Sequence, residues 1–322
     1  MLRKSILYLS RQQRIFSFIR NVGFARKMAS RFVAGETIES ALEAVEGLNA
    51  QGITASLDLL GESVTSEAEA RETGRQYLEI LDSIAKRKLD ANVSVKLTAL
   101  GQDISDKLGV EVVRQVLERA RQYNSFVRLD MESSEYTDRT LDTFEHELYP
   151  DFRDNVGVVL QSALRRTLGD VDRANRLQAR VRICKGAYLE PPDVAFPDKS
   201  DVDGNFVAAM QRLMEHGRYP GIATHDENMI REAKRFAKER NISNDRFEFQ
   251  MLYGVRRDLQ QQIVAEGYRM RVYVPFGTQW YPYLMRRLAE RPANIAFMAG
   301  NIIKEGFSGR GRGGNKPART TA

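Results

Sequence analysis

Residues 269–290 read RMRVYVPFGTQWYPYLMRRLAE. Met270, Val272 and Val274 alternate with Arg271 and Tyr273 in the manner of a buried strand, and Pro275 and Gly277 end it. From Trp280 to Glu290 the spacing turns helical, with Tyr283 three residues before Arg286 and four before Arg287. That spacing brings a phenol and two guanidiniums towards one face. A pair of guanidinium forks there matches a small carboxylate, and it equally suits a solvated basic helix end.

The same strand-then-helix unit recurs along the 322 residues. Strands are expected at 53–60, 92–98, 126–131, 156–161, 180–185, 221–225, 246–251 and 270–275. Helical spacing is read at 38–48, 68–87, 110–123, 140–149, 205–216, 227–239 and 258–266. Eight strands mostly separated by helices predict an α/β fold, a closed parallel barrel. Such barrels keep their chemistry at the C-terminal ends of the strands. There stand Asp58, Lys96, Asp130 with Glu132, Gln161, Arg182 with Lys185, His225, Gln250 and Tyr273. Polar groups within apolar strands need partners or a ligand, and so many of them converging marks a site.

Charge is uneven. Residues 1–35 hold eight Lys or Arg and no acid, and residues 308–322 hold four and no acid; without these the body carries 37 basic and 43 acidic residues, a net charge of −6. The body is therefore no polyanion-binding surface. The basic, apolar-interleaved start predicts amphipathic helices packed on the body, with a membrane-surface contact and a transit peptide as the competing readings. Residues 308–322 lack apolar anchors and read as a disordered tail. Gly309, Gly311 and Gly314 spell a dinucleotide fingerprint there, but no strand precedes it and no helix follows. The expected division is a basic helical segment over 1–35, a barrel over 36–307 and the tail.

Several chemistries are excluded. His146, His216 and His225 are scattered and Cys184 is alone, so no metal site is expected. Cys184 permits no internal disulfide and reads as strand packing. Neither a nucleophile elbow nor a phosphate loop ending in Gly-Lys-Ser/Thr is present. The expected mouth is cationic, through Lys96, Arg182, Lys185, Arg286 and Arg287, and suits two anionic ligands. Lys96 and Lys185, set in apolar strands, are also candidates for Schiff-base chemistry on a lyase or aldolase barrel. Asp130 and Glu132 nearby favour charged, ion-paired lysines instead.

Taken together, Lys185-Gly-Ala-Tyr188 after Arg182, Ala223-Thr-His225, Phe249-Gln-Met251-Leu-Tyr253-Gly and Tyr283-x-x-Arg286-Arg287-x-x-Glu290 resemble the monofunctional bacterial proline dehydrogenases over about 29–304. The resemblance implies a distorted (βα)8 TIM-type barrel with extra N-terminal helices and a C-terminal helix over the mouth. It implies FAD as cofactor and oxidation of L-proline to Δ1-pyrroline-5-carboxylate by hydride transfer to flavin N5, with electrons passed to a membrane quinone. By the same carry-over Lys96, Arg286 and Arg287 would hold the substrate carboxylate, and Glu290 would orient Arg287. Tyr273 and Tyr283 would wall the proline ring, Asp130 would join the catalytic network, and Arg182 would sit by N5. Met131, Gln161, Ile183, Cys184, Lys185, Thr224 and His225 would line the cofactor. The plain alternative for Arg182 is pairing with Asp130 across neighbouring strands. A cytoplasmic protein touching the inner face of the membrane, with no nucleic-acid partner and with room for a homo-oligomer, is the corresponding expectation.

Overall fold

Eight short strands close into one parallel barrel in strict sequence order, β8 pairing back to β1. A computed structural model describes residues 30–290 of the chain, with side chains as far as residue 285. Residues 1–29 of the expected N-terminal segment 1–35, residues 291–307 of the expected barrel segment and the expected tail 308–322 lie outside the described residues. The strands are β1 (Thr54–Leu59), β2 (Ala91–Val95), β3 (Val127–Leu129), β4 (Val156–Gln161), β5 (Arg180–Cys184), β6 (Gly221–Ala223), β7 (Glu248–Leu252) and β8 (Met270–Phe276). The helices are α1 (Ile38–Asn49), α2 (Glu67–Arg87), α3 (Asp106–Gln122), α4 (Ser134–Asp142), α5 (Tyr149–Phe152), α6 (Thr167–Leu177), α7 (Lys199–His216), α8 (Glu227–Glu239), α9 (Arg257–Ala265) and α10 (Trp280–Glu290). The barrel lies within one compact unit, Phe24–Trp280; α10 from Tyr281 onward belongs to a second.

Alternation along the strands decides what faces what. Leu57, Val93, Val95, Val127, Leu129, Val158, Val181, Ile183, Phe249 and Val272 are buried in the apolar layer under the helices. The residues between them are polar: Ser56 and Asp58, Asn92 and Ser94, Arg128, Arg180 and Arg182, Glu248 and Gln250, Arg271 and Tyr273. Since successive side chains leave a strand on opposite faces, the barrel's interior is a polar column inside an apolar sleeve. Room for it comes partly from Gly157 on β4. A Cβ there would run into the Arg180 carbonyl and would lie 2.7 Å from the Arg128 guanidinium and the Phe126 ring.

Several boundaries differ from the expected ones, each for a physical reason. The strands at 92–98, 126–131, 180–185 and 221–225 stop earlier, so Lys96, Asp130, Lys185 and His225 stand just past β2, β3, β5 and β6. The two lysines are therefore rim residues rather than strand residues. The helix expected at 140–149 begins at Ser134 as α4 and runs through a π-helical turn, Thr143–Leu148, into α5. α6 was not among the expected helices, although Leu168, Val171, Ala174 and Leu177 recur at helical spacing against the core. Its ion pairs include Arg173 with Asp142 and Glu145 and Asp172 with Arg212, and Arg166, the residue before it, pairs with Asp170. α7 starts six residues before the expected 205, in a polar turn.

α1 and α2 show why local sequence makes these helices. Thr37 and Ser40 cap α1 reciprocally, and Ser66 accepts the Glu69 N–H at the start of α2. Lys88 ends α2 in a left-handed conformation. The segment before α1 is fixed to the end of β8 by Ala34 N–H donating to the Pro275 carbonyl at 2.9 Å and Gly277 N–H to that of Gly35 at 3.0 Å.

Candidate active site

Asp130, one residue beyond β3, is where four strands meet. Its Oδ1 accepts from Arg182 Nη1 on β5 at 2.7 Å and from Ser94 Oγ on β2 at 3.1 Å, while its Oδ2 accepts from the Tyr273 hydroxyl on β8 at 2.6 Å. β4 separates β3 from β5, so the Asp130–Arg182 pair exists but crosses the barrel interior rather than linking neighbouring strands. Arg182 is held at three points, since Nη2 also donates to Ser94 Oγ at 3.2 Å and Nε to Gln250 Oε1 at 2.6 Å. Its guanidinium carbon lies 5.1 Å from the Tyr273 ring centroid. Burial pushes the Tyr273 phenol well up, and the carboxylates of Asp130 and Asp58 push it further. Tyr273 is thus a fixed hydrogen-bond donor at neutral pH.

Beside this network, Lys96 Nζ donates to Asp58 Oδ1 at 2.9 Å, both side chains buried. Burial alone would push the ammonium down, but the carboxylates of Asp58, Asp130 and Glu62 outweigh it and hold Lys96 well above the usual lysine range. A Schiff-base lysine must lose its proton to attack a carbonyl, so this environment works against that chemistry. Lys185 lies between Asp203 at 2.5 Å and Asp226 at 3.0 Å, an ion-paired setting as well.

The rim between β5 and β6 gathers the other expected ligands. Asp226 pairs with Lys185 and also caps α8, accepting the Asn228 N–H at 3.0 Å. Thr224 Oγ1 accepts the Asp226 N–H at 3.1 Å. His225 Nε2 accepts the Leu252 N–H at 3.0 Å, which places the neutral ring's proton on Nδ1. Gln161 donates to the Glu132 main-chain carbonyl at 2.8 Å, and Met131 is buried beside it in sequence. Gly186 follows Lys185 with a φ of +103°, and a Cβ there would lie 2.9 Å from Gln161 Oε1. Ile183 differs from the rest: its side chain is fully buried in the apolar layer under the helices, on the face opposite Arg182. Cys184 is partly buried against the same layer.

Tyr283, Arg286 and Arg287 lie on α10, in the second unit, and the side chains of Arg286, Arg287 and Glu290 fall outside the described residues. The residues that sequence reasoning missed are Ser94, Asp203 and Asp226, together with Glu248 and Arg271 lower in the column. Spacing was the available signal: Ser94 lies two residues before Lys96, and Glu248 and Arg271 two before Gln250 and Tyr273.

Glu132 has a measurable consequence. Burial raises its carboxyl to about 7 from an ordinary 4.5, although the Thr98 hydroxyl donates to it at 2.7 Å. A folded-state value above the unfolded one means stability present in full below pH 4.5 and lost as the pH rises through about 7. Glu132→Gln is therefore expected to be more stable than the wild type by about 1–3 kcal/mol at pH 8, the advantage vanishing below about pH 5. Urea unfolding at the two pH values checks this; an advantage independent of pH contradicts it.

Residues 41–300 match the family model described as proline dehydrogenase. Over 305 residues the chain is 42% identical to a proline dehydrogenase of Deinococcus radiodurans, covering 94% of this chain and 98% of that one. It is 41% identical to proline dehydrogenase 1 of Bacillus subtilis, covering 95% of this chain and all of the relative. Among solved structures, the proline utilization A of Bdellovibrio bacteriovorus inactivated by N-propargylglycine superposes with a TM-score of 0.78 and 29% identity, over 86% of this chain and 34% of that longer one. A family match across nearly all of the barrel, joined to relatives matched end to end, places the chain in the proline dehydrogenase family of oxidoreductases acting on proline.

Proposed function

We propose that the chain oxidises L-proline to Δ1-pyrroline-5-carboxylate with FAD held at the C-terminal ends of the barrel strands. The carrying observation is the Arg182–Asp130–Tyr273 network, a buried, triply anchored cation beside a fixed, half-buried phenol at the barrel's open end. The donor set fits a flavin nucleotide. The isoalloxazine edge offers carbonyl and ring-nitrogen acceptors for Arg182, and Lys185, Thr224 and His225 offer the polar rim that the rest of a dinucleotide needs. FAD would supply the acceptor for the two electrons that leave proline as hydride.

The chain's own residues would do the positioning. Lys96, held cationic, suits the proline carboxylate, and Tyr273 presents a ring face to the substrate while its hydroxyl stays tied to Asp130. Clamping the carboxylate fixes which ring carbon faces the acceptor, and a cation at the acceptor's edge stabilises the negative charge it gains. Tyr283, Arg286 and Arg287 are proposed as further substrate ligands on the strength of their motif on α10. Quinone as the onward electron acceptor, contact with a membrane surface and self-association belong to the same reading. Among the described residues no helix is long and apolar enough to cross a membrane. Binding to anionic vesicles and reoxidation by a soluble quinone, both absent, would remove the quinone and membrane parts.

An absorption spectrum tests the central claim. Purified protein is expected to be yellow and to bleach on adding L-proline; colourless protein that takes up no added FAD overturns the proposal. In the same assay Arg286→Lys and Arg287→Lys are expected to keep the colour and lose proline affinity, since an ammonium cannot grip a carboxylate bidentately.

A further inference from the structure

Below the network just described, the polar column continues unbroken towards the N-terminal end of the barrel. Gln250 joins the two halves. Its Oε1 accepts from Arg182 Nε at 2.6 Å and its Nε2 donates to Glu248 Oε1, also at 2.6 Å. Glu248 is itself pinned, Oε1 by Arg271 Nε at 2.8 Å and Oε2 by the Tyr219 hydroxyl at 3.1 Å. Arg271 in turn donates to the Ala55 carbonyl of β1 at 2.7 Å. Gln250, Glu248 and Arg182 are all buried.

An amide between a guanidinium and a carboxylate has one acceptable orientation. Turned over, it would set its NH2 against the Arg182 N–H and its carbonyl against the carboxylate, two repulsions where there had been two hydrogen bonds. Burial would raise the Glu248 carboxyl, but Arg271 outweighs it and keeps the group ionised, so the orienting charge is permanent. β6 is shaped to this side chain, because a Cβ on Gly221 would collide with Gln250 Nε2 and lie 2.9 Å from its Cδ.

We propose that Gln250 is a positioning residue: seated on Glu248 and Arg271 at the base of the barrel, it fixes the direction of the Arg182 guanidinium that the flavin edge meets. The inference rests on the proposed flavin chemistry, but the hydrogen bond to Arg182 Nε exists whether or not a flavin is bound. Asp130 and Ser94 hold only the outer nitrogens of Arg182. A guanidinium gripped at those atoms alone can still pivot about them, and displacements of about an ångström at a reacting centre cost up to about a hundredfold in rate.

Two variants test it. Gln250→Leu removes both hydrogen bonds at similar volume, and Gly221→Ala pushes an intact Gln250 aside. In the flavin-loaded protein each is expected to slow proline-driven flavin bleaching about 10- to 100-fold and to lower the flavin's midpoint potential, with KM for L-proline within about twofold of wild type. In an Arg182→Met background Gln250→Leu should add less than about twofold, because the residue it acts through is gone. Independently of any flavin, the slowly exchanging Arg182 Nε–H signal in 15N NMR, assigned by its loss in Arg182→Lys, should become fast-exchanging in Gln250→Leu. Wild-type bleaching in both variants, the same fold-loss in both backgrounds, or an unchanged Nε–H signal overturns the proposal. A wild-type protein that binds no flavin but shows the protected Nε–H defeats the flavin reading while leaving the Gln250–Arg182 tether in place.

Discussion

Asp130→Ala is expected to lower kcat/KM for L-proline by about 10³-fold or more and to destabilise the protein by about 3–5 kcal/mol. Both effects have one origin. The carboxylate is the charged partner of a buried guanidinium and the acceptor for a half-buried tyrosine's phenol, at 2.7 and 2.6 Å. Without it Arg182 keeps Ser94 and Gln250, both neutral, and a buried cation with no counterion is among the costliest defects a core can carry. Asp130→Asn separates the parts. The amide keeps the volume and one oxygen acceptor, so most of the stability should return. It restores no charge, and its single oxygen serves one strong donor where the carboxylate served two, so kcat/KM should remain at least about 10²-fold down. Unfolding titrations and steady-state kinetics on the two variants check this; near-wild-type kinetics in Asp130→Asn would show that the network is only structural.

The fold was legible because strand and helix periods alternate plainly wherever a strand buries an apolar face, as in Val156–Gln161 or Met270–Phe276. It was illegible where the chain is held by charge. α6 buries only two apolar side chains, Val171 and Ala174, and its ion pairs reach Asp142 at the end of α4 and Glu145 in the π-helical turn, partners that only the folded chain brings near. The polar first turn of α7 was missed for the same reason, and with it Asp203, a partner of Lys185. At the site, residue type at the strand ends found Lys96, Asp130, Arg182 and Tyr273. The lower layer escaped because Glu248 and Arg271 gain meaning only when the barrel closes and β7 meets β8. Such contacts are long-range, and one sequence does not display them.

The pairing of Lys96 with Asp58 supports a second large effect, visible as a pH dependence. Asp58 is the strongest of the groups holding the Lys96 ammonium up against burial, ahead of Asp130 and Glu62. Asp58→Asn keeps an oxygen for Lys96 Nζ at the same place but removes the charge, so burial gains ground and the lysine's pKa falls from above its ordinary range towards the assay range. If Lys96 binds the proline carboxylate as proposed, only its protonated form does so well. In the wild type the ammonium persists to high pH, so Lys96 adds no pH dependence of its own to proline affinity. In Asp58→Asn, KM relative to wild type at the same pH is expected to rise about tenfold for each unit that the pH exceeds the new pKa. Taking the ratio at each pH removes the titration of proline's own amine. Lys96→Met in the same assay sets the ceiling: its KM should be high at every pH with no slope added to that of the wild type. An Asp58→Asn/wild-type ratio that stays flat from pH 7 to pH 10 would mean that Asp58 does not govern the charge of Lys96, or that Lys96 does not touch the substrate. Lys96→Met decides between them, since a wild-type KM in that variant removes Lys96 from the carboxylate site.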